Sequence, residues 1–280
     1  MSIKWFNALT PRSLAFGVAA VAAGLGSLFT AGAATQAAAS QPTKPKPTIV
    51  LVHGAWADAS SWDGVTKRLE HDGYTVMALA NPLRGITSDS AYIASVLATV
   101  PGPIVLVAHS YGGAVITNAA TGNPNVKALV YVAALIPDAG ETGSDLLKFP
   151  GSQIVLPDSP DATVTARPFP GGVDFYVNSD VFRKIFAADL PPEKTALMAA
   201  GQRPLALAAF TDVSGPPAWK TIPSWALVAT QDNTIGTANT RFQAQRAAPS
   251  HTVEIDASHA VLVSHPEAVV ELIDQAVRGT

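Results

Sequence analysis

The chain has 280 residues, 48% of them hydrophobic and 14% charged. That is enough apolar material for one well-buried domain with room for an inserted subdomain. The formal charge of −3 leaves no basic footprint for nucleic acid. The chain contains no cysteine, which excludes disulfides, thiolate nucleophiles and cysteine-bound zinc.

Lys4 and Arg12 precede an apolar run rich in alanine and glycine, and small-x-small triplets follow at Ala31-Gly32-Ala33 and Ala37-Ala38-Ala39. This is the layout of a secretory signal, so residues 1–39 are expected to be removed on export. The product would be secreted or periplasmic, with no stable membrane association after cleavage. A retained anchor is the alternative, since the run is nearly long enough to span. No Arg-Arg pair precedes the run, which points to the general export route. Residues 40–47, ending QPTKPKP, read as an extended linker.

The folded domain then covers residues 48–280. Residues 48–53 (TIVLVH) form the first predicted strand and lead into Gly54-Ala55-Trp56. Ser60 or Ser61 can cap a helix running to Glu70, which Gly73 breaks. Residues 74–80 predict a second strand. Residues 90–100 predict a helix with Tyr92, Ile93, Val96 and Leu97 inward. The buried strand that opens at Ile104 comes next, then a helix over AVITNAATG. Residues 127–135, 224–230 and 251–255 predict three more strands, with helices over residues 239–247 and 266–277. Alternating strands and helices mean a mostly parallel central sheet of about six strands with helices on both faces.

Residues 138–222 interrupt that alternation. They are rich in proline and contain Phe149, Phe169, Phe175, Tyr176, Phe182, Phe186 and Phe210. Short helices are expected at 179–187 and 193–200. A long insertion over the ligand-binding edge of such a sheet reads as a mainly helical cap. Most of its aromatics would form its own core, with one or two lining a pocket.

The chemistry centres on IVLVAHSYGG, residues 104–113. A β-branched apolar run followed by Ser110 and a helix places that serine on a sharp strand-to-helix turn. The helix N-terminus there favours developing negative charge. Ala108 and Gly112 supply the small residues the turn needs on either side, although the usual first residue is glycine. A serine hydroxyl needs a histidine to take its proton and a carboxylate to orient that ring, in the chain order serine, acid, histidine. Three histidines follow Ser110. His251 opens a strand at the wrong end, His265 belongs to a helix start, and His259 follows a strand at its carboxyl end. Placement therefore points to His259. For the acid, Asp232 opens the loop after residues 224–230. Its rival Asp256 sits at a strand tip, and Asp212 lies in the cap, where it is expected to be solvated. The two backbone donors for an oxyanion are expected at Tyr111 and Ala55, with Trp56 as a substitute for Ala55. His53 and His109 read as braces, His71 as a solvated helix end.

The segments HGAWADASSW, AHSYGG, ALVYVAALIPDAGE, ATQDNTI and ASHAVLVSHPEAVVELI together resemble the α/β-hydrolase fold superfamily. They are most similar to the bacterial relatives of plant methylesterases and hydroxynitrile lyases. The resemblance spans about residue 48 to the C-terminus and is weakest through the cap. It implies Ser110 as nucleophile, Asp232 as acid, His259 as base, Ala55 and Tyr111 as oxyanion donors, an apolar pocket and no cofactor or metal. The cyanohydrin-cleaving branch carries a lysine directly after its histidine; Ala260 stands there in this chain. The expected activity is hydrolysis of small, apolar carboxylic esters through an acyl-enzyme. The rivals are a cofactor-free haloperoxidase or perhydrolase using the same triad, and a non-catalytic ligand-binding protein. A small-molecule ester is the expected partner, and the oligomeric state is left open.

Overall fold

A computed structural model describes residues 45–280. The expected signal segment and residues 40–44 of the expected linker lie outside the described residues. In chain order the body opens with β1 (Thr48–Val52), α1 (Asp63–His71), β2 (Thr75–Leu79), α2 (Ile86–Leu97), β3 (Ile104–His109), α3 (Tyr111–Ala119) and β4 (Val126–Val132). An insertion follows, with α4 (Gly143–Leu147), β5 (Val164–Phe169), β6 (Gly172–Val177), α5 (Ser179–Phe186), α6 (Pro192–Gly201), β7 (Leu205–Ala206) and α7 (Ala208–Thr211). The body resumes with β8 (Ser224–Ala229), α8 (Thr237–Ala247), β9 (Thr252–Ile255), α9 (Val261–Ser264) and α10 (Pro266–Arg278).

The six body strands pair in parallel in the order β2-β1-β3-β4-β8-β9. Successive side chains leave a strand on opposite faces, so each strand feeds two cores. Val50, Val52 and Leu106 pack with Ile93, Leu97, Val115 and Ile116 under α2 and α3. Ile49, Leu51, Val105 and Val107 pack with Val65, Leu69, Val269 and Ile273 under α1 and α10. This two-sided burial explains the near-continuous apolar runs of β1, β3 and β4. The sheet reverses its winding between β1 and β3, and in open parallel sheets ligands bind beyond the carboxyl ends of the strands at such a point.

Some local expectations need correction. Asp58, not Ser60 or Ser61, caps the turn before α1: its side chain accepts from the Ser60 N–H at 2.8 Å, and a short 3-10 turn precedes the helix. An aspartate two residues ahead can form this Asx-type bond, and a capping serine cannot be told from it by composition. α2 starts a turn earlier than expected and turns Ile86, Asp89, Ser90, Ile93 and Leu97 inward; Tyr92 is exposed. The shift follows from Asp212 of the insertion, which is not simply solvated: its carboxylate accepts from the Thr87 N–H at 3.0 Å and caps α2 from across the chain. The insertion contains, besides its helices, an antiparallel sheet in the order β5-β6-β7 that its sequence did not announce.

Candidate active site

Ser110 stands between the end of β3 and the start of α3 with φ 54° and ψ −128°. A non-glycine residue at positive φ is strained. The strain is held by its neighbours: the Ser110 N–H donates to Val132 O at 3.2 Å, and its carbonyl accepts from Gly113 and Leu135 N–H at 2.9 and 3.0 Å. A Cβ on Gly112 would lie 2.7 Å from Val52 O, and one on Gly54 2.6 Å from Ser110 Cβ, so neither position admits a side chain. Ala108, by contrast, fits inside the sheet between Val52 and Tyr131, fully buried. The turn thus tolerates alanine where glycine is more usual.

The structure brings Ser110, His259 and Asp232 together from three loops at one sheet edge. His259 Nε2 lies 2.9 Å from Ser110 Oγ, and His259 Nδ1 lies 2.8 Å from Asp232 Oδ2. All three are nearly inaccessible, at 4%, 0% and 2% exposure. The other oxygen, Asp232 Oδ1, accepts from the Thr234 and Ile235 N–H groups at 2.8 and 2.9 Å. Those bonds fix the carboxylate and leave Oδ2 for the ring, which orients Nδ1 as the donor and Nε2 as the acceptor facing the serine. Asp256 is exposed and accepts from Gln231 Nε2 at 2.6 Å and Thr230 Oγ1 at 3.3 Å, bracing its loop away from His259.

The remaining histidines sit elsewhere. His53 accepts from the Asn81 N–H at its Nε2 and donates from Nδ1 to Gly54 O, so it is a neutral brace under the Ala55 turn. Burial lowers its pKa. His109 is buried against the His259 ring, 4.6 Å between centroids, and donates from Nε2 to His259 O at 2.9 Å. Burial first, then the neighbouring His259, hold its pKa well below the ordinary histidine range, so it keeps a second cation away from His259. His251 stacks on Trp225 at the opposite sheet edge, His265 bonds to Ser264, and His71 is exposed beside Asp72.

Among the described residues the Ala55, Trp56 and Tyr111 N–H groups donate to no protein acceptor. Ala55 and Tyr111 line the same cavity as Ser110. Tyr111 turns its hydroxyl away, donating to the buried Asp89 at 2.8 Å, and burial followed by that carboxylate raise its pKa well above the ordinary value. The tyrosine therefore offers the cavity its backbone and not its phenol. The cavity measures ≈ 30 Å³ and has no charged residue in its walls. Trp56 and Leu135 of the body face Leu147, Ile154, Leu205 and Phe210 of the insertion across it. Phe210 is the one cap aromatic of the seven named above that lines it.

Sequence reasoning missed how the insertion holds the Asp232 and His259 loops. The last carbonyls of a helix have no partner within it. At the end of α5, Lys184 O accepts from Asn233 Nδ2 at 3.1 Å and Ile185 O from Thr234 Oγ1 at 2.9 Å, both in the Asp232 loop. Phe186 O accepts from the Ala260 N–H at 3.0 Å, next to His259, and the Phe186 ring meets the His259 ring edge-on at 4.9 Å. Asp189, just beyond, accepts from the Ser258 N–H at 3.0 Å. The only foreseeable part of this was the Asx turn in Asp232-Asn233-Thr234.

A family model described as the alpha/beta hydrolase family matches residues 49–272, and the chain belongs to that family. Pyrethroid hydrolase of Sphingobium wenxiniae is 28% identical over 248 residues, covering 80% of this chain and 85% of that protein. A carbendazim hydrolyzing esterase of a Nocardioides species is 31% identical over 113 residues, 35% of this chain and 46% of that one. The crystal structure of polyneuridine aldehyde esterase superposes with a TM-score of 0.70 at 19% identity, covering 83% of this chain and 100% of that chain.

Proposed function

We propose that this protein is a serine hydrolase of small, uncharged, apolar carboxylic esters. The observation that carries the reading is the unbroken relay from Ser110 Oγ through His259 to Asp232, at 2.9 and 2.8 Å. Membership of the alpha/beta hydrolase family and similarity to a pyrethroid hydrolase and a carbendazim hydrolyzing esterase support it. Ser110 Oγ attacks the ester carbonyl carbon as its proton passes to His259 Nε2. Asp232 steadies the imidazolium, and the free N–H groups of Ala55 and Tyr111 receive the oxyanion. His259 then protonates the leaving alkoxide, and a water, deprotonated by His259, cleaves the acyl-enzyme. The charge-free cavity wall favours a neutral ester. With Ala260 after His259, the lysine of the cyanohydrin-cleaving branch has no counterpart.

The test is labelling by a fluorophosphonate together with turnover of p-nitrophenyl acetate. Wild-type protein should label at Ser110 and hydrolyse the ester, and Ser110→Ala should do neither while keeping its melting temperature. Loss of the nucleophile leaves only what binding and the oxyanion donors supply, orders of magnitude less. Labelling at a different serine sinks the assignment. The protein is further proposed to be exported with its leader removed near residue 39. The N-terminal mass of material from the periplasm or medium tests this, and an intact Met1 on membrane-bound protein would overturn it.

A further inference from the structure

The cavity at Ser110 is too small for the substrate its chemistry demands. Its ≈ 30 Å³ hold about two water molecules, since one water needs roughly 10–15 Å³. A larger cleft of ≈ 180 Å³ lies next to it, and Trp56 belongs to the walls of both. The indole is thus a partition with the nucleophile's cavity on one side and the cleft on the other.

The partition is built in an unusual way. Trp56 has φ 56°, a conformation that a bulky side chain rarely adopts. Its Nε1–H donates to Phe175 O at 3.0 Å, the one hydrogen bond that ties the indole to the insertion. Beyond it the cleft runs between Leu197, Met198 and Lys194 of α6 on one side and Asp58, Ser60 and Val263 on the other. Leu197 is 73% exposed, the most exposed large hydrophobic side chain among the described residues. The cleft therefore offers an apolar floor with polar groups and one charge of each sign around it.

Resting on the serine-hydrolase reading, we infer that this cleft is a second substrate subsite and that Trp56 sets the size limit between it and Ser110. The substrate class is an ester with one short apolar half, held in the cavity at Ser110, and one longer half that passes Trp56 into the cleft. Lys194 and Asp58, one charge of each sign around an apolar floor, select a tail that is neutral overall with a polar tip. The cleft accepts an acyl or an alkoxy chain alike as the long half, since both are hydrocarbon chains to it.

Two variants test this in opposite directions. Trp56→Gly removes the partition and keeps the positive φ without steric cost. Gly201→Phe fills the cleft from its α6 wall, where an added Cβ meets nothing within 4 Å. Activity is read as kcat/KM for octanoyl against acetyl p-nitrophenyl esters, and for octyl against methyl acetate. Trp56→Gly should raise the long-to-short ratio about tenfold or more, and Gly201→Phe should lower it by a similar factor, in whichever series carries the long half. The responding series identifies that half. Ratios within twofold of wild type for both variants, in both series, overturn the subsite while fluorophosphonate labelling of Ser110 stands. Absence of labelling in the wild type overturns the underlying hydrolase reading instead. If Trp56→Gly fails a thermal melt, Gly201→Phe decides alone.

Discussion

In the parallel sheet, Ile49, Val50, Leu51 and Val52 of β1 and Ile104 to Ala108 of β3 are all without exposed surface. In the insertion, β5 keeps one fully buried residue, Val164, and leaves Phe169 exposed, while α6 buries Thr195 alone. The sheet is held by apolar packing on two faces. The insertion joins the body's core through Phe175, Phe182, Phe186 and Phe210 and adds polar threads to it: Arg84 pairs with Asp174 at 2.7 Å, Asp212 caps α2, and the end of α5 takes bonds from the Asp232 and His259 loops. The difference separates two jobs. The sheet projects Ser110, Asp232 and His259 from strand ends, and the insertion braces the loops that carry the last two and lines the cavity.

After Ser110→Ala, the largest effect is expected at Asp232. Asp232→Asn should lower kcat by roughly 10⁴, the size seen when a triad carboxylate is lost and the ring takes the wrong tautomer. Asp256→Asn, bonded only to Thr230 and Gln231, should stay within a few-fold of wild type. Steady-state kinetics of the pair would break the assignment if the order were reversed.

Next in size is the backbone donor after β1. Ala55→Pro deletes its N–H, and losing one oxyanion donor costs about 10²–10³ in turnover. Ala55→Gly keeps the donor and should have a much milder effect. A folded Ala55→Pro protein with undiminished kcat would move the donor to Trp56.

The insertion's contribution is smaller and sharpens the contrast. Asp189→Ala removes the acceptor of the Ser258 N–H beside His259. A hydrogen bond to a charged group is worth roughly 1.5–3 kcal/mol, so kcat should fall by about ten- to a hundredfold with KM little changed. An unaltered kcat would mean that the body alone positions His259.

The smallest effect is on stability. Burial lowers the pKa of both His53 and His109 below the ordinary 6.5. As pH falls through that value, the unfolded chain takes protons on these rings while the folded chain does not. Stability is therefore full above roughly pH 7 and declines below pH 6.5, down to the folded-state values. Melting temperature should drop by a few degrees between roughly pH 7.5 and 5.5, about 2–4 °C for each kcal/mol lost. His53→Gln should flatten that slope.

The sheet and its strand-end residues were legible because their signals are local. Two-faced burial writes near-continuous apolar runs into β1, β3, β4 and β8, and the turn at Ser110 needs a small residue at Gly112 within one short stretch. Strand-end placement also sorted His259 from His251 and Asp232 from Asp256, since parallel strands present their carboxyl ends on one edge. The sequence by itself thus determined the architecture and the residues that meet at that edge. Tertiary structure alone decided what depends on long-range partners. α2 begins early because Asp212 caps it from 125 residues away, and β7 pairs with β6 over only two residues, too short a segment to announce itself. The carbonyls at the end of α5 carry no side-chain signature, so their hold on the His259 and Asp232 loops was invisible. The division of space by Trp56 was hidden for the same reason: a cavity is defined by walls from distant segments, and only folding brings β1's turn, α6 and α9 to one place.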